Sequence, residues 1–406
     1  FFDVIAIIVG ESVCGRFFCA MPGLTATMAT ALLIPVTFFM DPVPALGAIV
    51  TATAMAIFAG DIPAAMLRMP GTPASAAYAD ESYEMTKKGQ LDLCMGVNLV
   101  FSVLGGIFGV LILIVLAPVL AEVAINFSSF EYFWLACLGL TCAVFIGTGD
   151  PLKGLLSLFI GLAIGCIGID PAAGQPRFTF GNVDLLSGIN FIPTLIGMFA
   201  VSELLRGAVT MEKAGMMVQQ TVGNMFAGLG AVARKYWMNF IRGSVIGTVI
   251  GALPGAGADI AAWVSYAVSK KLSKEPEKFG TGHIEGIVDS TSANNSALGG
   301  AWIPALVFGI PGDSITAIVI GVLYMKGMNP GPTVFLQTPE LIYAVFIIFI
   351  LANLLMFPLG WAAIKSAKQI LRVPRNILLP IILIFCMVGS FAMTNSLYGV
   401  VLMVAM

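Results

Sequence analysis

From Val97 to Leu120 the sequence runs for 24 residues without a charged side chain. As a helix, such a run is longer than the ~30 Å thickness of a bilayer's hydrocarbon core. Tyr132–Ile146, Leu152–Ile169, Phe191–Leu205, Leu341–Ile364 and Ile377–Met393, the last continuing to Met406, are similar runs. Val4–Met21, Leu24–Met40, Pro44–Ala59, Ile241–Leu253, Ala256–Val268 and Ser296–Tyr324 are also apolar but interrupted. The length rule predicts about ten to twelve membrane segments, several of them too short or too broken to be simple spans. Composition agrees. The chain is 58% hydrophobic and 10% charged, against roughly 45–50% and 25% in soluble domains. Its mean hydropathy is +0.97. A cytosolic enzyme, a secreted module and a disordered scaffold are excluded as primary readings. With 20 basic and 22 acidic residues, net −2, there is no basic face for nucleic acid. Seven cysteines form no CxxC pair and the single histidine is His283, so neither a zinc site nor a disulfide framework is expected. The chain starts at Phe1 and stops at Met406 within an apolar run, and both ends are expected to continue.

Basic residues orient the spans. Lys87 and Lys88, Lys153, the group Arg206, Lys213, Arg234, Lys235 and Arg242, and the group Lys365, Lys368, Arg372 and Arg375 recur at even numbers of crossings. The loops between, 122–131 and 170–190, hold only Arg177. The basic loops are therefore predicted to be cytoplasmic. One stretch conflicts with simple crossing. Arg242 and the group Lys270, Lys271, Lys274 and Lys278 should lie on the same side. The apolar stretch between them suffices for one full crossing. A re-entrant hairpin resolves this, with its tip at Pro254-Gly255-Ala256-Gly257, where helix is least tolerated. Non-helical backbone at membrane depth is tolerated only when buried in protein or lining a wet cavity.

The chain also repeats itself. PGLTATMA at 22–29 matches PGAGADIA at 254–261, and PAAMLRMPGTPASA at 63–76 matches PALVFGIPGDSITA at 304–317. The offsets are 232 and 241. Lys87-Lys88 follows the first module, whereas 329–340, after the second, has no Lys or Arg; the Asp41 loop has none, whereas Lys270–Lys278 has four. The flanking charge is thus inverted. Inverted repeats with broken helices meeting near the midplane are a mark of secondary transporters. The expectation is an all-α polytopic membrane protein with inverted-topology repeats, re-entrant helical hairpins and broken helices, an elevator-like secondary transporter. Four regions follow: a first repeat core at 1–92, connecting and scaffold helices at 93–240 with a cytoplasmic loop at 206–242, a second repeat core at 241–328, and C-terminal scaffold helices at 329–406.

PGLTATMATALLIPVTF, GTVIGALPGAGADIAAWVSY, the ANN of Ala293-Asn294-Asn295, IPGDSITA and IDPAAGQPRFTFG at 169–181 together resemble the large membrane subunit of the tripartite tricarboxylate transporters, the TctA family. The resemblance covers nearly the whole chain. It implies import of di- or tricarboxylates such as citrate, driven by an ion gradient of Na⁺ or H⁺ and with no cofactor. It also implies a small membrane subunit and a periplasmic solute-binding protein as partners, in the bacterial cytoplasmic (inner) membrane. The chain departs from many relatives at Gly60-Asp61-Ile62-Pro63, followed by Arg68.

A carboxylate entering the membrane must exchange its water for other donors. Free N–H groups at the starts of broken helices are such donors. The expected substrate-binding residues are Gly23, Thr25, Gly71, Thr72, Ser75, Pro254, Gly255, Gly257, Gly312, Ser314 and Thr316, with Thr27 beside them. Pro70-Gly71 and Pro311-Gly312 are the expected breaks. Asp259, Asn294, Asn295 and Asp313 are the candidates for a cation; capping is the competing role for the asparagines and for Asp259. Arg68 is expected to pair with ligand or with Asp61, and His283 to be a solvated loop residue. Two other readings are an ion or solute channel, which also uses broken helices, and an intramembrane hydrolase, which lacks both GxSxG and a membrane histidine. GALPGAGA lacks the Lys-Ser/Thr that closes a nucleotide-binding loop.

Overall fold

The computed structural model describes residues 25–146, 150–170, 173–209, 223–370 and 375–406. Gly23 and the apolar stretch Val4–Met21 lie outside the described residues. The chain is an all-α polytopic membrane protein. The first region holds α1 (Ala26–Phe38), α2 (Pro42–Ala59) and α3 (Asp61–Leu67), then one 3-10 turn (Ser75–Tyr78) leading into α4 (Ala79–Lys87). The Thr25 hydroxyl accepts the Met28 N–H at 3.2 Å and caps α1. Pro42 opens α2, where a missing N–H costs nothing.

Next come α5 (Leu91–Ala124), α6 (Ser129–Ile146), α7 (Pro151–Gly165) and α8 (Phe191–Leu195), which runs through a π turn (Ile196–Val201) into α9 (Ser202–Val209). The expected span Leu152–Ile169 ends early. Gly168, at φ +126°, turns the chain into a two-residue antiparallel ladder that pairs Gly168 with Arg177 and Ile169 with Pro176. Across 229–325 the chain forms α10 (Leu229–Lys235), α11 (Trp237–Gly251), α12 (Gly257–Leu272), α13 (Ile284–Phe308) and α14 (Ser314–Met325). Then follow α15 (Val334–Gln337), α16 (Pro339–Ile370), α17 (Arg375–Thr394) and α18 (Leu397–Ala405). Among the described helices, Pro42–Leu67, Leu91–Ala124 and Pro339–Ala367 are long and apolar enough to cross a membrane. α11 and α12 pack against each other across a turn at 252–256. α13 and α14 are separated by non-helical backbone at 309–313.

α13 is the centre of the molecule, buried from Gly286 to Val307. It lies between α5 and α11, and small residues set the spacing. A Cβ on Gly105 would sit 2.5 Å from the Ser292 carbonyl oxygen, and one on Gly109 2.4 Å from that of Ser296. On the α11 side, Cβ atoms on Gly243, Gly247 and Gly251 would each come within 2.3 Å of the carbonyl oxygens of Asp289, Ala293 and Ala297. Recurrence at every fourth residue is the membrane rule for close backbone approach, because lipid gives helices no apolar reason to associate and contact must come from fit. At the opposite extreme α7 has no buried residue.

Candidate functional site: a cavity where the broken segments meet

A cavity of about 330 Å³ opens where the interrupted segments come together. Thr25 and Thr27 reach it from the start of α1, and Thr72 and Pro73 from the turn after α3. Ala258 and Asp259 reach it from the first turn of α12, and Asp313, Ser314 and Ile315 from the start of α14. Asn294 of α13 forms part of the wall. Residues about 190 to 290 apart in sequence touch here. The Thr27 and Ser314 hydroxyls share a hydrogen bond of 2.9 Å, and the Ala74 N–H donates to Asp259 Oδ1 at 3.1 Å. The Trp263 indole N–H donates to the Pro73 carbonyl at 3.2 Å.

These contacts are reciprocal. The offset of 232 carries Thr27 onto Asp259, and the offset of 241 carries Pro73 onto Ser314. So the start of α1 touches the start of α14, and its counterpart in α12 touches the counterpart turn after α3. Two lysines repeat the exchange further out. Lys88 Nζ donates to the Thr281 carbonyl at 2.5 Å, in the loop after α12. Lys326 Nζ donates to the Phe38 carbonyl at 2.9 Å, at the end of α1, and to that of Met40 just after it.

The expected site residues divide by what they touch. Thr25, Thr72, Asp259, Asn294, Asp313 and Ser314 line the cavity. Gly257, at φ +57°, lies beside Asp313; a Cβ there would stand 2.5 Å from the Asp313 Cβ. Pro254 and Gly255, at φ +82°, form the turn behind α12 and are not among the lining residues. Gly71 donates its N–H to the Gly60 carbonyl at 3.1 Å. Ser75 is buried and exchanges 3.1 Å hydrogen bonds with Thr72, each backbone N–H reaching the other's hydroxyl. Gly312 packs on the helices behind, where a Cβ would stand 2.8 Å from both the Ala301 Cβ and the Gly251 carbonyl oxygen. Thr316 is buried and completes a capping box with Asp313: its N–H donates to Asp313 Oδ1 at 2.8 Å and its hydroxyl accepts the Asp313 N–H at 2.9 Å. Asn295 turns away from the cavity, donating to the Ser102 hydroxyl at 2.9 Å and the Thr291 carbonyl at 3.2 Å.

Two pairings differ from expectation. Arg68 binds Asp80 at 2.7 Å, because its left-handed backbone at φ 57° ends α3 and turns the chain away. Asp61 instead accepts the Tyr78 hydroxyl at 2.6 Å. His283 is not solvated: its side chain is 11% exposed, with Nε2 3.5 Å from Glu275 Oε2. The Lys278 ammonium, and behind it His283, hold the Glu275 carboxyl below the usual range.

Sequence reasoning missed the far wall. Met198, Phe199, Ser202, Glu203 and Arg206 close the cavity from the π turn and α9. The signal was a Glu-x-x-Arg pair at the end of an apolar run; Arg206 Nη1 lies 3.8 Å from Glu203 Oε2. The electrostatics are unusual for an anion site. Asp259, Asp313 and Glu203 face Arg206, the cation among the described lining residues. The starts of α1 and α14 are already capped by the chain's own Thr25 and Asp313. The Ser202 hydroxyl donates to the Met198 carbonyl and Arg206 pairs with Glu203, while the Thr27–Ser314 pair, two hydroxyls sharing one hydrogen bond, keeps one proton to donate. Three carboxyl groups, of Asp259, Asp313 and Glu203, thus share the wall with one guanidinium.

Two relatives from Agrobacterium vitis are similar in sequence. An uncharacterized 52.8 kDa protein in the TAR-I ttuC′ 3′ region is 33% identical over 386 residues, covering 95% of this chain and 76% of the relative. An uncharacterized protein in the TAR-II ttuC′ 3′ region is 35% identical over 131 residues, 32% of this chain and 54% of that relative. No solved structure matches. The model of the tripartite tricarboxylate transporter TctA family matches residues 4–406, and with the interrupted helices meeting in one cavity this chain belongs to that family.

Proposed function

We propose that this chain is the large permease subunit of a tripartite, ion-gradient-driven secondary transporter in the bacterial inner membrane. It imports a di- or tricarboxylate of the citrate class, received from a periplasmic solute-binding protein, and works with a small membrane subunit. The observation that carries this reading is that all four interrupted segments contribute to one cavity. The reciprocal contacts between the halves support an inverted repeat, the architecture of alternating access around a fixed site. The acidic wall supports coupling, since an anion crosses this cavity with less repulsion when cations travel with it. In this reading Asp259 and Asp313 hold the segments together and set the charge that the cation balances.

The test is uptake of radiolabelled citrate and shorter dicarboxylates into proteoliposomes that contain the full-length protein and its small subunit. The binding protein is supplied outside and a Na⁺ or pH gradient is imposed. Saturable uptake that needs both the binding protein and a cation gradient is expected. Gradient-independent, non-saturating flux would identify a channel instead.

A further inference from the structure

Asp61 is wholly buried at the start of α3. Its Oδ1 accepts the Tyr78 hydroxyl at 2.6 Å, and its Oδ2 has no hydrogen-bond partner. The Tyr78 oxygen in turn accepts Asn294 Nδ2–H at 3.3 Å. Asn294 is 1% exposed, and its Oδ1 is also unpartnered. Because Asn294 lines the cavity, the carboxyl group stands two hydrogen bonds behind the cavity wall.

The charged and titratable groups on the helices packed around α3 are engaged elsewhere. Asp80 holds Arg68, Glu84 holds Lys87 at 2.5 Å, and Asp92 accepts the Gly223 N–H at 2.8 Å. Glu81 accepts the N–H groups of Gly280, Gly282 and His283 and the Tyr266 hydroxyl. Cys94 donates its thiol to the Ser82 carbonyl. Among the described residues no Lys, Arg or His forms an ion pair with Asp61. A buried carboxylate with one neutral donor and no cation is costly, and an ionisable group inside a membrane segment is a functional candidate by default. A metal ion would need a shell of oxygens. A proton needs one lone pair, and Oδ2 offers it.

We propose that Asp61 carries the coupling proton of this transporter, loaded from the cavity through Tyr78 with Asn294 holding the phenol in place. In loading, a hydronium ion that enters past Asn294 gives a proton to the Tyr78 oxygen and is left as water, as the phenolic proton passes to the Asp61 carboxylate. One O–H bond forms at each of the Tyr78 and Asp61 oxygens, one breaks at the hydronium ion and one at Tyr78, and the tyrosine ends unchanged. Release reverses these steps into water on the other side. The proposal rests on the transport reading above but concerns a different group from those that face the carboxylate substrate.

Two measurements test it on the full-length protein in lipid. In infrared spectra at neutral pH, wild type should show the carbonyl stretch of a protonated carboxylic acid that Asp61→Asn lacks. An unchanged band overturns the proposal even if no substrate is ever found, which separates its failure from failure of the transport reading. In proteoliposomes, Asp61→Asn should lose accumulation driven by a pH gradient, and Asp61→Glu should restore it with a displaced pH profile. Size-exclusion profiles and expression levels equal to wild type establish that the variants fold. PH-driven accumulation by Asp61→Asn at the wild-type level, or wild-type uptake that follows Na⁺ and ignores pH, overturns it.

Discussion

Two buried carboxylates on this molecule have opposite surroundings. Asp289, on α13, takes Arg242 Nε at 3.0 Å, Arg242 Nη2 at 2.5 Å, Asn239 Nδ2 at 2.9 Å and the Ser269 hydroxyl at 2.6 Å. Asp61 takes one hydroxyl. Both are 0% exposed. The first is neutralised and saturated, tying α11, α12 and α13 into one block. Among the described residues no cation pairs with the second. Burial alone therefore says little about what a carboxylate does; the completeness of its partners separates a fastening from a group that must exchange something.

That contrast can be broken or sharpened by substitution. Arg242→Ala should have the largest effect, about 3–5 kcal/mol of lost stability, because it strands a buried charge; thermal unfolding of the detergent-solubilised protein reads it, and a melting point equal to wild type would show the cluster to be idle. Gly247→Leu, beneath the same cluster, should cost about 1–3 kcal/mol or more by forcing α11 off α13, visible as reduced monodisperse yield. Asp313→Ala removes the α14 cap and should cost about 0.5–2 kcal/mol, with faster amide hydrogen exchange confined to the first turns of α14 and α12. Asp61→Asn should have the smallest effect, under about 1 kcal/mol, since an amide oxygen still accepts the Tyr78 hydroxyl. A loss as large as that of Arg242→Ala would abolish the distinction.

Much of the architecture was legible because membranes constrain sequence strongly. Apolar length marked the helices, basic residues at both ends of 242–270 demanded a hairpin, and matched Pro-Gly pairs located the breaks. Seven of the eleven residues proposed for substrate lie in buried turns, in packing contacts or behind α12, because Pro-Gly marks where a helix stops, not which way its side chains face. Gly312 and Thr316 illustrate this: one lets α14 approach α11 and α13, the other satisfies a helix end. The spacing of Gly243, Gly247 and Gly251 suits a close helix contact, yet it names no partner, and only the fold shows that the partner is α13. Asp61–Tyr78 and Asp289–Arg242 could not be read, because each joins segments whose meeting depends on the whole fold.

The crossed lysines carry a consequence for motion. Lys88 and Lys326 each fasten one half of the molecule to the loop of the other. A clamshell that pried the halves apart would strip both ammonium groups from their carbonyls at once. Translating the pair as a single parcel past the outer helices leaves every one of those ties intact.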